Sequence, residues 1–236
     1  MRFIFNTMMK KICLLILLSG IAYGQSLNTL TGYFNIPSGE IGKDRSVVVG
    51  TSFLNKIFYD KIGFNENSLT IYASIVYLPL VEFSFRFTKR LEPPYPEALG
   101  DRMISIKFNL LKESKIIPSI SLGAHDFTRS KEELTNRFNA LYIAATKNIA
   151  VNKFIDNISL TYGYGFDFIT ALKHHYVGHF GGAEIRFARH YYIISEYDGR
   201  FVNGAFKANL FNHINLLFGF IGLKYPCGGA SVSFSL

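Results

Sequence analysis

The sequence predicts an all-β protein: an antiparallel transmembrane β-barrel of about twelve strands, with ten as the alternative, behind a cleavable leader. Three observations carry that prediction. Apolar and polar residues alternate over one short segment after another, the period of a strand with two unlike faces. The chain holds 23 Phe, 14 Tyr and 20 Gly, which suits a bulky lipid-facing row beside a small inward row. Beyond the leader no segment stays apolar for the about 18 residues that a membrane helix needs, so a crossing would have to be made by strands.

The leader is read first. Met1 to Lys11 carry Arg2, Lys10 and Lys11 and no acid, and the apolar stretch Ile12 to Ile21 follows. Ala22-Tyr23-Gly24 then places small residues at the two positions a signal peptidase reads before a cut at Gln25. The stretch is shorter than the about 20 residues of a span, so a retained anchor helix is the weaker alternative. The expected division is therefore leader 1–24, an N-terminal segment 25–44 and a barrel 45–236. Cys13 falls in the leader, which leaves Cys227 alone in the mature chain and excludes a disulfide framework. Without Arg2, Lys10 and Lys11 the mature chain has 22 basic and 17 acidic residues. That mild surplus, with no basic stripe, argues against nucleic acid as a partner.

The first segment, 25–44, holds Pro37, Gly39 and Gly42 and does not alternate. It is expected to plug or line the lumen, or to lie in the periplasm. Strands are then expected at approximately 45–54, 67–77, 80–88, 101–111, 117–127, 137–147, 155–166, 178–188, 190–198, 200–210, 213–223 and 228–236. The clearest case is Val81 to Thr88, where Val81, Phe83, Phe85 and Phe87 alternate with Glu82, Ser84, Arg86 and Thr88. Ile104, Ile106, Phe108 and Leu110 alternate with Met103, Ser105, Lys107 and Asn109 in the same way. The polar rows are mostly Ser, Thr, Asn and Gly, which a narrow hydrated lumen accepts, whereas a barrel dissolved in water would put more charge there.

Connections tend to alternate in length. The first, third, fifth and seventh are long, and the second, eighth and tenth are tight; the sixth is longer than ideal and the ninth is too short. Short periplasmic turns and long outer loops would place both termini in the periplasm. The final residues Val232, Phe234 and Leu236 form the apolar alternation typical of strands handled by outer-membrane assembly machinery. A cell outer membrane of a Gram-negative bacterium is the expected location, with its lipid as a partner.

From Arg86 onward an ordered series of motifs is recognisable. Arg86-Phe87-Thr88-Lys89-Arg90 is followed by Gly100-Asp101-Arg102-Met103-Ile104-Ser105-Ile106-Lys107, Leu110-Leu111-Lys112-Glu113, Pro118-Ser119-Ile120-Ser121-Leu122-Gly123 and His125-Asp126-Phe127. Thr31-Gly32-Tyr33-Phe34-Asn35-Ile36-Pro37-Ser38 precedes them, and Ala144-Ala145-Thr146-Lys147 and Tyr162-Gly163-Tyr164-Gly165 come after. The series resembles the YjbH-like family of exopolysaccharide-associated outer-membrane barrels. That resemblance implies a role in making, secreting or anchoring surface polysaccharide with periplasmic and lipoprotein partners, and it implies no catalytic residues. Typical members are longer and carry a second barrel, for which this chain has no room.

Candidate sites follow from strand parity. Glu82, Arg86, Lys107, Glu184, Arg186, Glu196 and Lys207 should face the lumen. A buried charge must be paired or hydrated, so these residues form either a structural ladder of ion pairs or a selectivity lining for a solute or polymer end. His174, His175 and His179 invite a metal reading, but no Cys or fixed carboxylate stands beside them and a solvated loop is simpler. Ser119, Ser121 and His125 invite a hydrolase reading, yet all three fall on one inward row, and parity turns Asp126 outward. Neither a cofactor nor a resident metal is implied. Tyr77, Tyr142, Tyr162, Tyr191 and Tyr192 are candidates for aromatic interface girdles, Gly163, Gly165, Gly181 and Gly182 for bends or close packing, and Cys227 for a turn at the outer rim. A scaffold or restricted conduit for polysaccharide is thus expected, with a small porin and a lipid- or glycan-modifying enzyme as alternatives.

Overall fold

The computed structural model describes residues 24–58, 66–91, 101–127, 139–152, 154–167 and 176–236. Twelve strands close into one antiparallel barrel in simple sequential order: β1 (Ser46–Leu54), β2 (Ser68–Tyr77), β3 (Val81–Arg90), β4 (Asp101–Leu111), β5 (Ser119–His125), β6 (Ala140–Ala150), β7 (Ile155–Phe166), β8 (Gly178–Phe187), β9 (Tyr191–Tyr197), β10 (Val202–Leu210), β11 (Ile214–Ile221) and β12 (Tyr225–Ser235). The barrel closes where β1 pairs with β12, from Ser46 opposite Ser235 to Phe53 opposite Gly228. Closure removes both edges of the sheet and satisfies the ladder hydrogen bonds all the way round.

The twelve-strand expectation holds, and the ten-strand alternative does not. The alternation that predicted β3 is the alternation observed: Glu82, Ser84, Arg86 and Thr88 are buried inside, while Phe83 and Phe85 are exposed outside. The same division runs around the wall. Ile71, Phe108, Leu122, Ile143, Leu160, Ile193, Phe206 and Phe218 all stand exposed on the outer surface. No helix among the described residues is long and apolar enough to cross a membrane.

Connections of three to seven residues, 78–80, 112–118, 151–154, 188–190 and 211–213, lie at the end that carries both barrel termini. The tightest use left-handed residues, such as Ala188 and Arg189 at φ 47° and 63°, which suits the twist of paired strands. At the other end the connections are 55–67, 91–100, 126–139 and 167–177, joined by the short 198–201 and 222–224.

Several expectations need correction. β5 begins only after Pro118, which has no N–H to give a ladder, and it stops at His125. Asp126 does not continue the parity outward. Its φ of 49° breaks the strand period, and the residue is buried with its N–H on Ser105 Oγ at 3.4 Å. β6 runs three residues later than expected, because the alternation continues inward through Thr146 and Asn148. β12 begins at Tyr225 rather than 228, since it pairs with β11 before it reaches β1. Cys227 is therefore a strand residue buried inside the barrel, not a turn residue, and its Sγ accepts the Asn55 N–H at 3.3 Å.

Tyr142 and Tyr192 are not girdle residues. They occupy inward positions, Tyr142 fully buried and Tyr192 with the Lys207 ammonium over its ring at 4.8 Å. Tyr77, Tyr162 and Tyr191 do face outward and are exposed. Close packing explains Gly163 and Gly165: a Cβ on Gly163 would overlap the Phe180 ring and one on Gly165 would strike the Tyr176 carbonyl.

Candidate functional site

The barrel is filled by its own chain. Leu27, Leu30, Tyr33, Phe34, Asn35 and Ile36, all from the segment ahead of β1, are buried within the interior. The loop 32–37 folds back on itself, with Gly32 bridged to Pro37 and the Tyr33 N–H on the Ile36 carbonyl at 3.0 Å. Gly32 is obligatory there, because a Cβ would lie 2.3 Å from that carbonyl oxygen.

Two inward carboxylates hold this segment. Glu82 Oε1 accepts the Thr31 N–H at 2.8 Å, the Thr31 hydroxyl at 3.0 Å and the Gln25 amide at 3.2 Å. Its other oxygen pairs with Lys107 Nζ at 3.3 Å, and Lys107 also donates to the Thr31 carbonyl at 2.7 Å. Across the lumen, Glu196 accepts the backbone N–H groups of Phe34 at 3.1 Å, Asn35 at 2.8 Å and Ile36 at 3.3 Å, and the Asn203 amide at 3.1 Å. Asn35 Nδ2 reaches Asp198 at 2.7 Å. Turned-back backbone amides are orphan donors in need of an acceptor, and a carboxyl group with two oxygens meets several of them at once.

Neutral side chains of the wall complete the seat. Gly39 donates its N–H to Thr146 Oγ1 at 2.7 Å, and its carbonyl accepts Asn109 Nδ2 at 2.9 Å and Ser119 Oγ at 2.7 Å. Ser121 donates to the Ser38 carbonyl at 3.0 Å, and Thr29 and Ser84 share a hydrogen bond of 2.6 Å. Arg86 donates to the Asn28 side chain at 3.2 Å and to the sulfur of Met103. Toward the long loops apolar side chains join the filling. Leu27, Phe34 and Ile36 pack with Met103, Tyr142, Tyr176, Phe180 and Ile194 in one buried cluster. Burial pushes the Tyr176 phenol well above its usual range.

The seven charges expected to face the lumen fall into three groups. Glu82, Lys107, Arg86 and Glu196 touch the N-terminal segment, Glu184 and Lys207 pair with each other, and Arg186 lines a cavity with them. The cavity is about 260 Å³ and lies between the N-terminal segment and β6–β10 at the short-turn end. Its lining includes Glu40, which accepts Asn148 Nδ2 at 2.6 Å. Burial raises the Glu40 carboxyl above its ordinary value, against the pull of that hydrogen bond. Sequence parity could locate the wall charges. It could not find Glu40, Gly39 or Asn35, which lie in a segment without period; Asp198 shares the parity of Glu196 at the end of the expected strand 190–198 and could have been found by it.

Ser119, Ser121 and His125 do face inward, but they do not meet as a catalytic set. Both serines bind the N-terminal segment, and His125 Nδ1 lies 2.8 Å from Ser105 Oγ instead. His179 points outward, with Nδ1 2.6 Å from the Tyr162 hydroxyl and its ring against Tyr164. His174 and His175 lie outside the described residues. Among the described residues no group of three His, Cys, Asp or Glu side chains is placed to hold a metal.

No curated protein matches the chain. A model of the YjbH family, described as exopolysaccharide biosynthesis protein YbjH, matches residues 25–205. That span contains both the filling segment with its Thr31–Ser38 loop and the two carboxylates that hold it, and it covers more than half of the sequence. The chain belongs to the YjbH family.

Proposed function

We propose that the protein is a non-enzymatic outer-membrane barrel of a Gram-negative cell envelope that assists export or assembly of surface polysaccharide. It acts as a scaffold, or as a conduit that opens only when its N-terminal segment is displaced. The observation that carries this reading is the pairing of an exposed apolar outer wall with an interior closed by a segment of the same chain. A continuous apolar exterior of this extent is costly in water and suited to lipid. The family match supports the link to exopolysaccharide.

In this reading the leader 1–24 is removed, both barrel termini and the short turns face the periplasm, and periplasmic or lipoprotein export components dock there. The seated segment argues against a permanently open porin, and the dispersal of Ser119, Ser121 and His125 onto other partners argues against a hydrolase. Deletion of the gene is expected to deplete surface polysaccharide, restored by the wild-type copy. A deletion strain with a normal polysaccharide surface would overturn the proposal.

A further inference from the structure

We propose that the cavity beside Arg186 binds a single sugar ring bearing a carboxylate, offered from the short-turn end of the barrel. This deepens the polysaccharide reading and rests on it. The cavity's about 260 Å³ is below the about 300–1,000 Å³ of sites for drug-sized ligands, so it suits one ring, not a chain. Its wall is set for hydroxyl groups. Asn157 Nδ2 donates to Asn148 Oδ1 at 2.7 Å and to Ser159 Oγ at 2.9 Å, and Asn148 is held in turn by Glu40 and Glu113. These planar amides and hydroxyls are fixed by one another, which lowers the ordering cost of binding.

Charge selects the ligand. Glu184 and Lys207 neutralise each other, and burial favours the uncharged form of Glu40. Arg186 remains. Among the described residues its guanidinium meets the Tyr192 phenol, and its Nε is buried without a hydrogen-bond partner. A partly buried cation left unmatched is costly, and the planar fork of arginine fits a carboxylate with two parallel bonds. A ring with hydroxyls for Asn157 and Ser159, which Asn148 holds in place, and a carboxylate for Arg186 fits this part of the lining.

The test uses the purified full-length mature barrel in detergent, with glucuronate, glucose and acetate as probes in ligand-observed NMR titrations at low salt. Wild-type protein is expected to bind glucuronate at least about tenfold more tightly than glucose or acetate, since one charge-assisted pair supplies roughly that factor. Arg186→Gln should erase the preference over glucose, and Arg186→Lys should restore part of it. Heat-modified gel mobility confirms that each variant is folded. Equal binding of glucose and glucuronate, equal binding of acetate, or an unchanged preference in Arg186→Gln would each overturn the site. The two readings fail separately: a deletion strain with normal surface polysaccharide defeats the cellular role and leaves this titration standing.

Discussion

Replacing Glu196 with Gln probes the grip on the N-terminal segment with a single atom. Glu196 Oε2 receives the N–H groups of Phe34 and Ile36, and Oε1 receives those of Asn35 and Asn203. A glutamine must turn its NH₂ toward one of these pairs, and a donor then faces two donors. The longer contacts, 3.1 and 3.3 Å to Phe34 and Ile36, are the cheaper pair to lose. Each buried donor left without an acceptor costs about 1–3 kcal/mol, so two cost about 3 kcal/mol, on the order of 10²-fold in the unseating equilibrium. Amide hydrogen exchange reads that equilibrium where exchange proceeds by local opening. In Glu196→Gln the protection of Phe34 and Ile36 amides should fall on the order of 10²-fold, while β6 amides keep theirs. Unchanged protection at Phe34 and Ile36, or an equal fall in β6, would refute the clamp.

Three further outcomes follow from the same contacts. Gly39→Ala places a Cβ 2.3 Å from the Ser119 carbonyl oxygen and 2.7 Å from the Thr146 nitrogen, so it should lift the segment and expose the Gly39 amide to exchange; retained protection would contradict the close approach. Lys107→Met leaves Glu82 buried without its cation and should lower stability by about 3–5 kcal/mol, whereas Glu82→Gln with Lys107→Met should recover most of it; urea unfolding in detergent reads both, and two additive losses would contradict the pair. Glu113, in the turn after β4, has a carboxyl below its usual range: burial opposes this, but hydrogen bonds from the Asn148 side chain and backbone and the Lys147 ion pair outweigh it. A carboxyl depressed in the folded state stabilises above its unfolded value of about 4.3 and loses that contribution as pH falls through the folded value. The gap in urea midpoint between wild type and Glu113→Gln should therefore narrow as pH falls below about 4.3, and a constant gap would contradict the assignment.

The wall was legible because a strand's faces are written in period two. Phe83, Phe85, Glu82 and Arg86 sort themselves without any tertiary information, and the structure places them as sorted. Parity failed where the backbone left the strand region, as at Asp126, and the girdle assignment failed where a large tyrosine filled the interior, as Tyr142 does beside Tyr176 and Phe180. Tyrosine looks the same in sequence at a lipid interface and in a packed core. The filling segment was the least legible part. Its seat comes from partners far along the chain, Asn35 with Glu196 and Thr31 with Glu82, and a loop held by such distant groups carries no period of its own.

The central claim is that the mature chain spans a membrane as a barrel sealed by residues ahead of β1. Planar-bilayer conductance tests it most directly, comparing the full mature protein with a variant lacking residues 25–38. The account predicts a silent wild type and discrete, steady conductance from the shortened variant, because the removed residues fill the lumen from Glu82 to Glu196. A steadily conducting wild type, or a shortened barrel that inserts and stays silent, would contradict it.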